Sequence, residues 1–134
     1  ILQSVECPGY RVERCQAYVD LDDLGTEIGK HGGGAGAALL RQESRVVEEA
    51  LDGIFGEECL QLGVWGESRT FTRFTRTQRC AVIGASATGR PSAVANFHQL
   101  PIESDSIDAV LLPHTLDYSD RPHEILREVD RVLR

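Results

Sequence analysis

The segment IDAVLLPH, residues 107–114, runs an apolar stretch directly into Pro113 and His114. An imidazole titrates near neutral pH, so a histidine displayed at the end of a strand can accept, donate or simply hold a proton. His98 and His123 read as surface or turn residues, and His31, inside a glycine run, has no assignable role. Asp105 and Asp108 have the look of a carboxylate pair for acid–base work. Their place at the head of an apolar strand favours a structural role, capping a turn and leading the strand in. Cys7, Cys15, Cys59 and Cys80 form no CxxC pair, and no histidine stands at metal-finger spacing. They read as free, buried thiols in a reducing compartment, with no metal site.

Two further stretches are candidates for ligand contact. RTFTRFTRTQR, residues 69–79, interleaves arginine with phenylalanine and threonine, a composition able to stack on bases. The net charge of −7 opposes a nucleic-acid partner, so this run reads as a solvated face beside a strand. GKHGGGAGAA, residues 29–38, holds five glycines and reads as a linker. It lacks the GK[ST] ending of a phosphate-binding loop.

The elements that must position these residues follow from periodicity. The chain of 134 residues makes one domain at most. It carries no apolar run long enough to span a bilayer and no signal-peptide pattern, so a soluble, cytoplasmic protein is expected. It begins at Ile1 and contains no methionine, so the native start is expected elsewhere. CQAYVDL, residues 15–21, alternates like a strand. Leu40, Val47, Leu51 and Ile54 define the apolar stripe of a helix over 39–56 that Gly56 would end. Short strands are expected at 59–66, 79–85, 93–101 and 107–114. The last, nearly all apolar, has the composition of a strand buried on both faces of a parallel sheet. A final amphipathic helix is capped by Ser119 or Asp120, has Pro122 in its first turn, and buries Ile125, Leu126, Val129, Val132 and Leu133. This is an α/β order, and in such sheets ligands bind beyond the carboxyl ends of the strands. That directs attention to residues 63–66, 84–86, 96–98 and 113–118.

LPIESDSIDAVLLPHTLDYSDRPHEILREVDRVLR, residues 100–134, resembles the class I S-adenosylmethionine-dependent methyltransferases, specifically their type 11 group. Ser106, Asp108, Val110, His114, Leu116, Asp117, Arg131, Val132 and Leu133 fall in step with the family's wording there. Residues 39–63 look like a bacterial subgroup of the same family. The resemblance covers about 38–134, a partial methyltransferase domain, and leaves 1–37 as a separate N-terminal segment.

The resemblance implies a Rossmann-like, mostly parallel sheet with helices on both faces. It implies S-adenosylmethionine as cofactor and a small-molecule or other methyl acceptor. Gly63, Val64, Trp65 and Gly66 fall where the family wraps the cofactor's amino-acid part. Asn96 falls where an aspartate faces the adenine amino group, Phe97 where a ring packs on adenine, and Pro113 and His114 at the cleft rim. The sequence departs from the family at three points: Trp65 and Glu67 replace the second and third glycines of G-x-G-x-G, Gln61 replaces the preceding acid, and no acid follows the second strand. The family continues past "R-V-L-R" with a further strand and hairpin. The sheet is therefore expected to be incomplete at its C-terminus, its open edge covered by the rest of a longer chain or by a second copy in a homo-oligomer. The competing reading is a non-catalytic relative acting as a binding or scaffold domain. A different dinucleotide-binding fold is disfavoured, because no GxGxxG follows a strand.

Overall fold

The computed structural model describes residues 34–67 and 69–134. The expected strand at 15–21, the glycines at 29–33, His31, Cys7 and Cys15 lie outside the described residues. Helix α1 spans Gly34–Leu51. It starts within the expected linker, because Ala35, Ala37 and Ala38, the best of helix formers, offset Gly34 and Gly36. It also stops earlier than expected: the Ile54 N–H donates to Leu51 O at 3.0 Å across a turn at Asp52–Gly53.

Gly56, assigned above as the helix terminator, lies inside the first strand. Strands β1 (Phe55–Leu62), β2 (Arg76–Gly84), β3 (Ala93–Val94) and β4 (Ala109–Leu111) form one sheet in the order β3-β2-β1-β4. Every pairing in it is parallel. A single 3-10 turn, Thr72–Phe74, interrupts the β1–β2 connection. Helix α2 spans Pro122–Val132.

The period-2 alternation of β1 decides which helix covers which face. Leu60 and Leu62 point to one side, with Ile83, Val110 and Leu112, and pack on Ile125, Leu126, Val129 and Val132 of α2. Cys59 points to the other, with Ala109 and Leu111, against Val47 and Leu51 of α1 and the intervening Phe71. Helices therefore cover both faces of a parallel sheet, the Rossmann-like architecture expected.

Three boundaries differ from expectation for identifiable reasons. The strand expected over 93–101 is two residues long, since Gln99 N–H turns back onto Asn96 O at 3.1 Å. α2 is preceded by Arg121 rather than capped by Ser119 or Asp120; the Ser119 hydroxyl instead accepts the Arg121 N–H at 3.1 Å. Cys59 is buried as expected, but Cys80 is exposed, as are most residues of β2 before Val82.

The acidic turn before β4 proves structural. Asp108 accepts the backbone N–H groups of Glu57 and Glu58 at 2.7 and 2.9 Å, fastening β4 to the start of β1. A Cβ on Gly56 would fall 2.6 Å from the Asp108 side chain, so this residue must be glycine for the carboxylate to reach. Arg131 of α2 donates to Leu100 O at 3.0 Å and Ile102 O at 2.8 Å, while Glu128 accepts the Leu100 N–H at 2.7 Å. The loop leading from β3 to β4 is thus tied down onto the helix that follows β4.

The Glu58 N–H, helped by that of Glu57 and by Arg134, holds the Asp108 carboxyl below the usual carboxylate range. Its folded-state pKa is depressed, so its stabilisation is present above the unfolded carboxylate pKa and is lost as pH falls through the folded one. Asp108→Asn is expected to cost about 1 kcal/mol and lower Tm by roughly 4–8 °C at neutral pH. Thermal melts should show the gap between wild type and variant closing on acidification; a gap constant from neutral to strongly acidic pH would contradict this account.

Candidate functional site

Because all pairings are parallel, the residues after β1, β2, β3 and β4 leave the sheet at one edge. The order β3-β2-β1-β4 reverses between β1 and β4. A crevice opens at such a reversal, since the connections on its two sides run away from each other. Gly63 ends β1 and Pro113–His114 follow β4, so both flank the reversal.

Gly63 has φ +93°, which a side chain rarely tolerates, and a Cβ there would approach Thr115 Oγ1 to 2.9 Å. Its N–H donates to Ile83 O at 2.8 Å, and the Thr115 hydroxyl donates to Leu62 O, so the loops after β1 and β4 are joined at their roots. Val64 packs over Gly89 of the β2–β3 loop, where a Cβ would meet it at 2.5 Å. Gly66, also at positive φ (+67°), faces Leu40 of α1.

The centre of the site is a buried polar cluster. Glu43 of α1 is completely buried. Its Oε2 accepts the Trp65 indole N–H at 2.8 Å, and its Oε1 lies 2.8 Å from His114 Nε2. The Trp65 and His114 rings stack at a tilt of 36° with centroids 4.2 Å apart. His114 Nδ1 faces Asp117 Oδ2 at 3.4 Å. His114 itself takes φ +53°, a left-handed conformation that histidine, like asparagine and aspartate, adopts more often than most side chains. Among the described residues, one buried side-chain atom lacks a hydrogen-bond partner, and it lies at this edge: Gln61 Oε1, whose companion Nε2 donates to Gly63 O at 2.8 Å.

The sequence-derived site residues separate into two groups. Gly63, Val64, Trp65, Gly66, Pro113 and His114 gather at the reversal. Asn96 and Phe97 follow β3, two strands from β1. Asn96 Oδ1 accepts the His98 N–H at 3.0 Å and Phe97 packs against the α2-side core. His98 Nε2 lies 3.4 Å from Ser119 Oγ, joining the turn after β3 to the loop before α2.

Glu43 was missed by sequence reasoning, although a signal was present: it stands three residues after Leu40 and four before Val47, on the apolar stripe itself. The arginine run is partly self-satisfied. Arg76 pairs with Asp52 and lies over Phe55, Arg79 pairs with Glu58, and Arg73 lies over Phe74, as a solvated face would.

The parallel sheet with helices on both faces is a Rossmann-like α/β fold, shared with solved methyltransferase structures. Residues 69–134 match the family model described as "Methyltransferase domain". A chain of the complex between the Haloferax volcanii Trm112 methyltransferase activator and a methyltransferase superposes with TM-score 0.59 at 21% identity, over 75% of this chain and 52% of that one. A Methanococcus maripaludis protein named for S-adenosyl-L-methionine-dependent methyltransferase activity superposes with TM-score 0.50 at 16% identity, over 82% and 63%. The uncharacterised protein YafS of Escherichia coli (strain K12) is 45% identical over 60 residues, 42% of this chain and 25% of that protein. The chain thus spans a quarter to under two thirds of the proteins it matches.

Trp65 is the one tryptophan of the sequence, so its fluorescence reports the cluster directly. Glu43→Ala strands the indole N–H and an imidazole nitrogen in a buried setting, at about 1–3 kcal/mol for each orphaned group. A red-shifted emission and a lower denaturation midpoint are expected. Unchanged emission with unchanged stability would show that Glu43 does not hold Trp65 in solution.

Proposed function

We propose that this chain is the cofactor-binding part of a methyltransferase that moves a methyl group from S-adenosylmethionine to an acceptor at the β1/β4 crevice. The observation that carries this reading is Gly63, held in a left-handed conformation at the end of β1, beside the strand-order reversal of a methyltransferase-type sheet. The residues present suit the amino-acid end of that cofactor. The backbone at Gly63 permits close approach, and the unpartnered Gln61 Oε1 beside it is an acceptor for an ammonium donor once the loop admits one.

In this reading Gly63, Val64, Trp65 and Gly66 hold the amino-acid part. The Asn96 amide faces the adenine amino group in place of His98, whose N–H and Nδ1 both contact its Oδ1 at 3.0 Å; Phe97 packs on the ring, and Pro113 and His114 line the cleft. When bound, the cofactor supplies an electrophilic methyl group on a sulfonium centre. Displacement at such a carbon needs alignment and exclusion of water above all. His114 is suited to alignment. With both ring nitrogens facing carboxylates, it positions Trp65 and the rim rather than collecting a proton from the acceptor. The reading places the protein in the cytoplasm, with the outer side of β4 covered either by further strands or by a second copy of the chain. Among the described residues, no helix is long and apolar enough to cross a membrane.

Titration calorimetry of the full-length protein with S-adenosylmethionine and S-adenosylhomocysteine is the test. Saturable heat is expected, together with stabilisation by about 2.7 kcal/mol at a ligand concentration of roughly 100 Kd. Trp65→Ala, Asn96→Ala and Gly63→Ala are each expected to weaken binding at least tenfold. No heat and no thermal shift at millimolar ligand would overturn the enzyme reading in favour of a binding or scaffold domain.

A further inference from the structure

The Cys59–Cys80 pair lies on the β1–β2 side of the sheet, away from the strand-order reversal between β1 and β4. The two residues are direct register partners on the parallel strands β1 and β2. Side chains of register partners project from the same face of a sheet, and neighbouring strands run about 4.8 Å apart. That separation falls inside the Cα–Cα range that a disulfide spans, about 4.4–6.8 Å. Both thiols are free. Cys59 is sealed in the α1-side core with Leu51, Phe71 and Leu111, whereas Cys80 is exposed at the uncovered start of β2.

We propose that Cys59 and Cys80 form a reversible dithiol–disulfide site, in which Cys80 reacts with a peroxide and Cys59 resolves the product. In the first step the Cys80 thiolate attacks one peroxide oxygen. The O–O bond breaks, hydroxide leaves and takes up a proton, and the sulfur is oxidised by two electrons to a sulfenic acid. In the second, the Cys59 sulfur attacks the Cys80 sulfur. An S–S bond forms, the S–O bond breaks, and the departing hydroxide leaves as water with the Cys59 proton. Two thiols and one hydrogen peroxide give one disulfide and two waters.

The surroundings of the pair divide these roles. The Cys80 thiol is lowered, first by the hydrogen bond from Cys59, then by Thr75 and the Arg69 charge. The Cys59 thiol is pushed far up, first by that same hydrogen bond, then by burial and the Cys80 charge. The more acidic thiol is therefore the accessible one, which a peroxide reaches first. Once Cys80 is a sulfenic acid, its sulfur is an electrophile directly across the register from Cys59. Burial keeps Cys59 from direct oxidation.

The four cysteines fall on four tryptic peptides, which makes the test direct. Cys7 lies in residues 1–11, Cys15 in 15–30, Cys59 in 46–69 and Cys80 in 80–127. The reduced full-length protein is treated with one equivalent of hydrogen peroxide, alkylated, digested and mapped by mass spectrometry. A linked pair of peptides 46–69 and 80–127 is expected, with loss of alkylation at both cysteines and full recovery after dithiothreitol. In Cys59→Ala the Cys80 sulfenic acid should persist and be trapped by dimedone. Alkylatable Cys59 after Cys80 has been oxidised to a sulfinic acid would overturn the proposal, and so would a Cys80 inert to peroxide. Both readouts follow sulfur chemistry alone, so neither depends on cofactor binding.

Discussion

A carboxylate with no exposure to solvent, that of Glu43, is the constraint around which the crevice is organised. Buried polar atoms left without a hydrogen-bond partner are costly, so its two oxygens must each find one. One finds the indole of Trp65 on the loop after β1, the other the imidazole of His114 on the loop after β4. A single side chain on α1 thereby fixes the distance between the two loops that flank the strand-order reversal. It also explains the indole in a loop where the family's pattern places glycine. Trp65 is not a stray bulky residue in a glycine pattern; it is the donor that the buried carboxylate requires. Its ring then covers His114, whose two nitrogens both face carboxylates.

The parallel sheet and its two-sided burial were legible in the sequence because residues 107–112 form a nearly continuous apolar run, the composition of a strand covered on both faces. The α2 stripe was legible from its helical spacing. The edge from which the loops leave follows from parallel pairing, and residues 63–66, 84–86, 96–98 and 113–118 lie at or just after the ends of the four strands there. What escaped detection was set by contacts distant in sequence. Gly56 looks like a helix stop, yet it is glycine because Asp108, 52 positions later, needs to reach the backbone of β1. The strand at 93–101 had the right composition, but Asn96 uses its side chain to cap the His98 N–H, which ends the strand at Val94. Glu43 was hidden by its charge, because acids on helices are ordinarily assigned to the solvent face.

The residues that carry the family likeness and the residues that build the crevice are largely different sets. Within 69–134, Asp108 fastens β4 to β1, Arg131 anchors the 100–104 turn, and Ser106 and Ile107 donate their N–H groups to Val132 O at 2.9 Å. These contacts preserve how β4 and α2 meet. Glu43, Gln61, Gly63 and Trp65 precede that segment, and His114 reaches into the cluster from within it. The scaffold can therefore be kept while the crevice is rebuilt. Replacing glycines by Trp65 and the leading acid by Gln61 changes the mouth of the site without touching the fastenings of β4. The α1–Trp65–His114 contact ties the loop after β1 to the loop after β4, at the same edge as the unpartnered Gln61 Oε1.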